Sequence, residues 1–432
     1  MAASPRIHSA STPLESTQTE AAPEQKKRQL RLPAMLRALR HRNYRLFFIG
    51  QLISLTGTWM QTVAQGWLVL RLTDSPLLLG LVAAFASLPI LLFSLPAGAL
   101  ADRVPKRTLL LTTQVIAMLL ALVLALLTLT GLVQVWHVLL LAALLGLVNA
   151  FDAPARQAFT VEMVGRADLL NAIALNSSIF NGARTIGPAV AGMVVAAIGE
   201  GPAFLLNGLS FLAVIAGLLM MRLPPFQAPS GARRTNQLRE GLRYIAGEPA
   251  VRSLLLLAGS LSLFGFVYIP LLPVFARDVL GAGASGLGWL SAASGLGALT
   301  AALLLAQFSD RVRRGHLVIA ALLAYPVFMI GFTLARSLPL AMILLALSGL
   351  SGVTAMALIN TLIQSIVPDT LRGRVMSVFT LLLMGLSPLG GMFAGVIAEY
   401  FGSVTLVVAT SAALAWLICL FGILRAPHLR QL

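Results

Sequence analysis

The sequence predicts an all-α integral membrane protein in which twelve transmembrane helices form two parallel six-helix repeats. Three observations carry that prediction. Of the 432 residues, 58% are hydrophobic and 11% charged, whereas a soluble protein is about half apolar and about a quarter charged. So much apolar surface needs a bilayer as its solvent. Twelve apolar runs, most near the ~20 residues that a spanning helix requires, follow one another through mostly short linkers. Turn and proline motifs in the first six runs recur at matching places in the second six.

Residues 1–40 are rich in Ser, Thr, Pro, Gln and Lys and are expected to form a cytoplasmic, largely disordered basic tail. No short apolar core with a small-residue cleavage site precedes the first full-length span, so the tail does not read as a cleaved signal. An N-terminal six-helix bundle follows over 41–222, with apolar runs near 46–70, 77–100, 108–131, 136–151, 170–198 and 203–221. Residues 223–252, rich in arginine, proline and polar side chains, form a cytoplasmic linker. A C-terminal six-helix bundle occupies 253–425, with runs near 254–276, 286–308, 316–335, 338–358, 373–398 and 403–424. Residues 426–432 are a cytoplasmic C-terminus.

The charge pattern orients these elements. With the N-terminus inside, the inner segments hold 27 of the 31 Lys and Arg residues, while the outer segments hold Arg71, Arg277 and Arg336. Arg184 is left inside a span. This positive-inside asymmetry, with an even number of spans, puts both termini in the cytoplasm of a cell (inner or plasma) membrane protein. The net charge of +16 is therefore topological, and no nucleic-acid partner is expected. The string "EQKKRQLR" near 24–31 either leans on anionic lipid or is a solvated face. Cys419 is the sole cysteine, so no intrachain disulfide forms.

Two repeated motifs relate the bundles. "GALADRVPKR" (98–107) follows the second span and "AQFSDRVRRG" (306–315) follows the eighth. Gly187-Pro188 in the fifth span corresponds to Ser387-Pro388 in the eleventh. Parallel repeats of this kind place a binding site near mid-membrane between two bundles that rock against each other.

On these residues the chain resembles a major facilitator superfamily transporter over about 41–425. Gly98, Leu100, Asp102, Arg103, Lys106 and Arg107 match the superfamily's inner-loop motif, with Pro105 where a glycine usually stands. "GPAVAG" is similar to the fifth-helix motif of drug/proton antiporters: Gly187, Pro188 and Gly192 match, and Ala191 replaces a glycine. The fourth-helix arginine of antiporters is missing from 136–151. "GTWMQTVAQGWLVLRLTDSPLLLG", "FDAPARQAF" and "NAIALNSSIFNGARTIGPAVAG" resemble the enterobactin-exporter-like and drug-efflux branch. The resemblance implies a secondary transporter, not an enzyme. It would export a small organic, siderophore-like or hydrophobic compound by alternating access, with protons as the candidate coupling ion.

Several residues carry expected roles. Asp102 ends the second span beside Arg103, Lys106 and Arg107, and can accept from a helix N-terminus and pair with an arginine such as Arg156. That makes it either an inner latch, with Asp310 and Arg311 as its second-half counterpart, or a solvated turn that fixes topology. Arg184 is too costly to face lipid, so it anchors an anionic or hydrogen-bond-accepting substrate or else pins the fold to backbone carbonyls or to the span-one glutamines. Ala183, Gly187 and Ala191 form a ridge of small residues, with Gly192 alongside, for close helix approach, and Pro188 bends the helix. Thr58, Gln61 and Gln65 share one helical face, which points into a substrate cavity or bonds to other helices. Asn181 is a weaker cavity candidate, and Trp59 is read as stacking on an aromatic substrate or as packing. Pro270 and Pro273 suggest a broken helix at the outer gate.

No acidic residue is expected deep in a span. Asp74, Asp152, Asp278 and Glu399 all read as span-end residues, and Asp152 and Asp278 are the candidates for proton coupling. No phosphate-binding loop and no metal-ligand spacing occur, so no cofactor and no metal are expected. The partners are a small-molecule substrate and the bilayer, and the protein is expected to be a monomer. A lipid or lysolipid flippase on the same fold, or a non-transporting scaffold or sensor, are the alternatives. The topology predicts that Gly231→Cys in a Cys419→Ala background resists impermeant thiol reagents in intact cells. Clean external labelling would reverse the assigned orientation.

Overall fold

The computed structural model describes residues 34–223, 237–308 and 313–426. Among them every regular element is helical. Asp310 and Arg311 lie outside the described residues, as do 1–33, 224–236 and 427–432.

In the N-terminal half α1 is Arg42–Thr73, α2 Pro76–Arg103 and α3 Lys106–Leu129. The single element α4, Val135–Ile198, breaks at Gly165 (φ 70°, ψ 175°). Such a φ favours glycine, and it folds α4 into two arms that serve as the fourth and fifth spans. α5 is Glu200–Leu219. A short 3-10 turn, Ala34–Arg40, precedes α1. Sequence chemistry explains the boundaries: Ser75 caps α2 by accepting from the Leu78 amide, with Pro76 in the first turn. Pro105 starts α3.

The C-terminal half opens with the amphipathic α6, Gln237–Gly247. Its first span is discontinuous: α7 (Pro249–Ser260), a π turn (Leu261–Gly265), α8 (Tyr268–Val274) and a second π turn (Phe275–Val279). Pro270 and Pro273 both fall in α8, where a missing N–H and ring clashes disfavour a straight helix. α9 (Gly283–Phe308), α10 (Arg314–Leu334), α11 (Leu338–Ile366), α12 (Asp369–Phe401) and α13 (Val404–Arg425) complete the half. Among the described residues, ten helical segments are long and apolar enough to cross a membrane by length and composition alone. The bent α4 supplies two spans, and the more polar α1, 32 residues long, supplies the twelfth.

One expectation is corrected. The first arm of α4 continues past 151 to Gly165, so Asp152 and Arg156 lie within the fourth helix and not at its end. Asp152 is buried. The hydropathy run stopped at the first charge, but a carboxylate with an arginine one turn later does not end a helix when the pair is satisfied.

Two ends can be told apart. At the Arg42 end, Arg42 donates to the Met220 carbonyl and Asn43 to the Arg222 carbonyl. At the Asp74 end, Arg71 pairs with Glu200. The halves meet chiefly through α2 against α12 and α4 against α9. Glycines make this approach possible: a Cβ on Gly192 would meet Gly288 Cα at 2.8 Å, and one on Gly80 would meet the Gly391 carbonyl oxygen at 2.7 Å. Gly192→Leu should therefore push α4 and α9 apart. Overpacking of ~1 kcal/mol or more should lower cross-linking between Asp74→Cys and Arg277→Cys roughly fivefold at equal membrane abundance. Unchanged cross-linking would mean that this seam does not hold the ends together.

Candidate functional site

The polar face of α1 divides between two environments. Gln61 is buried, and its Oε1 accepts from Asn207 Nδ2 on α5 at 2.6 Å, so it bonds within the N-terminal half. Gln65 and Thr58 are half-buried, and Thr58 donates to its own helix at the Ser54 carbonyl. Asn181 likewise donates to the Ser177 carbonyl. The polar surface of α1 continues through Gln51 and Ser54 into a cavity of about 540 Å³, counting space open toward solvent, between α1, α3, the first arm of α4 and α5.

Asp152 anchors one wall of this cavity. Its Oδ1 accepts from Thr113 Oγ1 and Gln114 Nε2 on α3, both at 2.9 Å. Its Oδ2 pairs with Arg156, whose other amino group donates to Gln51 Oε1 on α1 at 2.6 Å. One ion pair thus ties three helices. Burying charge is tolerable only when pairing and hydrogen bonds satisfy it, and here both hold. Arg156 is engaged by these partners, while the side chain of Asp102 lies outside the described residues, so the two are not brought together here. Two cavity-lining atoms, Gln114 Oε1 and Arg156 Nε, are buried without a hydrogen-bond partner, which makes the cavity suited to water.

Arg184 has a different setting. It stands ~28 Å along the second arm from Gly165 and ~21 Å from Ile198, so it is near mid-span. It is half-buried and makes no hydrogen bond or ion pair among the described residues. Its guanidinium lies 5.9 Å from the Trp59 ring centroid, and Trp59 meets Phe180 edge-on at 5.6 Å. Backbone atoms of Arg184 and Thr185 approach Gly295 of α9, so this stretch sits against the C-terminal half. Ala183, Gly187 and Pro188 are buried, and a Cβ on Gly187 would meet the Thr56 carbonyl at 2.7 Å.

The basic residues of the inner-loop motif have local partners. Lys106 Nζ pairs with Glu162 at 2.8 Å, and Arg107 donates to the Leu219 carbonyl at 2.9 Å. Arg103 is exposed, and a Cβ on Gly98 would meet nothing within 4 Å. At the opposite end, Arg277 bridges Asp278 and, across the halves, Asp74.

Sequence reasoning passed over three carboxylates. Asp168, just after the α4 break, is surrounded by Arg37, Arg40 and His41 at 2.7–2.9 Å. The His41 hydrogen bond, followed by the two arginines, holds its carboxyl below the usual carboxylate range. Glu200 is gripped by Arg71 through two nitrogens, and Glu162 holds Lys106. Their only signal in the sequence is an acidic residue at a span boundary, which names no partner.

Known proteins match this chain along most of its length. The model of the family described as "Transmembrane secretion effector" covers residues 34–431. The multidrug efflux pump Tap of Mycolicibacterium fortuitum is 29% identical over 402 residues, 90% of this chain and 96% of that protein. The enterobactin exporter EntS of Escherichia coli O1:K1 is 26% identical over 341 residues, 79% and 81% of the two chains. A solved bacterial homolog of the human lysosomal transporter Spinster superposes with a TM-score of 0.67 at 18% identity, covering 92% of this chain and 97% of that one. That likeness shows the fold.

The ion pair inside the N-terminal half has a direct test. Asp152→Asn leaves the half-buried Arg156 without its carboxylate, which should cost ~1–3 kcal/mol and lower the thermal unfolding temperature in detergent. Asp152→Asn with Arg156→Gln should recover most of the loss. An unaltered unfolding temperature in the single variant would make the pair solvated and marginal.

Proposed function

The chain belongs to the transmembrane secretion effector family of the major facilitator superfamily and is a multi-pass membrane transporter, and we propose that it exports a small organic, siderophore-like or hydrophobic compound by alternating access in exchange for protons. The observation that carries this reading is Arg184: a mid-span guanidinium beside Trp59, on a stretch whose backbone meets the other half at Gly295, with no acidic partner among the described residues. An arginine so placed needs either water or a ligand, and a planar fork of donors suits a carboxylate or another acceptor group. Trp59 and Phe180 beside it offer an aromatic wall. The printed names of the relatives, an enterobactin exporter and a multidrug efflux pump, support export and a substrate of this general class.

Alternating access is supported by where the halves touch. Every hydrogen bond or ion pair that crosses between them among the described residues lies at the Asp74 end. With both termini cytoplasmic and 223–252 an inner linker, these contacts would hold the outer end closed. Gly98, Asp102, Arg103, Lys106, Arg107, Arg156, Asp310 and Arg311 then form the inner gate region, and the Pro270–Pro273 break belongs to the outer one. Gly187, Pro188 and Gly192, with Ala183, act as the packed hinge beside the anchor. Asp152, buried beside the polar cavity, and Asp278, in the Arg277 cluster, are the groups that would carry the exchanged proton. The working unit in this reading is a monomer.

Arg184→Lys retains charge but not the fork, and should reduce the initial export rate about tenfold, the equivalent of ~1.4 kcal/mol. Arg184→Gln should impair anionic substrates more than neutral ones. The measurement is the initial rate per folded protein for a charged and a neutral substrate in inverted vesicles, with thermal stability in parallel. Unchanged selectivity accompanied by a large stability loss would make Arg184 a structural pin. Headgroup-selective lipid movement in the same vesicles would favour a flippase instead.

A further inference from the structure

At the Asp74 end, the N-cap of α2 is completed by the other half of the molecule. Ser75 is buried, and its Oγ accepts from the Leu78 amide at 3.3 Å while its hydroxyl donates to Glu399 Oε2 of α12 at 2.8 Å. The Leu77 amide points to the same oxygen at 3.4 Å. Glu399 lies where α2 and α12 are in closest contact: a Cβ on Gly395, one turn earlier, would meet the Pro76 carbonyl oxygen at 2.6 Å. A carboxylate is favoured there twice over, by charge-assisted hydrogen bonds and by the positive end of the α2 dipole. Separation of the halves at this end would strip Ser75 of its acceptor and Glu399 of its donors.

We propose that Glu399 is the latch of the outer gate, and that protonation of its carboxylate from the outer side releases it. This inference rests on the alternating-access reading and its orientation, and adds the residue through which external protons favour the outward-open state. The chemistry distinguishes it from the neighbouring cross-half contact. Arg277 holds Asp74 by ion pairing and is itself also held by Asp278, so two carboxylates share one guanidinium. Glu399 has no ion-pair partner among the described residues; of the other charged and titratable groups at this end, Asp74 and Asp278 both pair with Arg277, Arg71 of α1 pairs with Glu200, and His137 of α4 accepts from the Gln134 amide. The Glu399 contacts are made with neutral donors, so a proton on it removes the charge that strengthens them without leaving a cation stranded. An exporter driven by inward proton movement needs its outer end to open when protons are abundant outside, and this latch has that sign.

The test is a distance measurement on the full chain in lipid nanodiscs, with spin labels at Leu132→Cys and Ser337→Cys in a Cys419→Ala background. These sites lie in loops of the two halves at the Asp74 end and are exposed. Acidification should shift the labelled parent toward the longer distance. Glu399→Gln should raise the open-to-closed ratio roughly fivefold at neutral pH, the difference between charge-assisted and neutral hydrogen bonds, and should flatten the acid response. Ser75→Ala should raise the ratio in the same direction, with its own helix cap lost. Separation in which Glu399→Gln keeps the parental ratio and acid response overturns the latch while alternating access stands. No separation in any variant at any pH overturns both.

Discussion

A charge or an unpaired polar group inside a bilayer must be neutralised, hydrated or put to use, and the arrangement of this chain follows from that constraint. Within the N-terminal half each buried charge finds a partner on a neighbouring helix. Asp152 and Arg156 join α4 to α3 and α1, Glu200 joins α5 to α1 through Arg71, and Lys106 joins α3 to α4 through Glu162. Breaking such a pair leaves an uncompensated charge in a low-dielectric interior, so these contacts make the half resist internal rearrangement. Arg184 departs from the pattern because its setting, among the described residues, lacks a carboxylate, and its stretch packs against the other half, which is the basis for proposing it as the substrate anchor.

The seam between the halves has the opposite character. Gly192 lies on Gly288, Gly80 on Gly391, and Gly395 on Pro76, so backbones touch without interlocking long side chains. Close approach of this kind yields packing without buried charge. Polar contacts across the seam are confined, among the described residues, to the Asp74 end. A molecule that is cross-pinned inside one half and joined to the other by smooth glycine surfaces has a natural plane of motion. Inter-half packing can be lost and regained, whereas a buried ion pair within a half cannot be opened cheaply.

The fold and Arg184 were legible in the sequence for the same reason: both are contrasts in polarity along the chain. Twelve apolar runs mark twelve spans, and an arginine inside one of them is conspicuous. Asp152 was read as a span end because a run of hydropathy ends at a charge whereas a helix ends at a backbone event, here Gly165, thirteen positions beyond Asp152. The pairing of Gln61 with Asn207, 146 residues apart, and the gathering of Arg37, Arg40 and His41 on Asp168 depend on helix rotation and on the folded path of the chain. Periodicity shows that Thr58, Gln61 and Gln65 share a side of α1, but not which neighbour receives each one.

The central claim is that the halves part at the Asp74 end during each export cycle. An Asp74→Cys and Arg277→Cys pair in the Cys419→Ala background, across the contact that joins the halves at this end and joined by a short reducible thiol cross-linker, tests it most directly. Export measured in inverted vesicles should cease on cross-linking and return on reduction, while each single-cysteine control treated with the same reagent keeps its rate. Undiminished export by fully cross-linked protein would contradict the account.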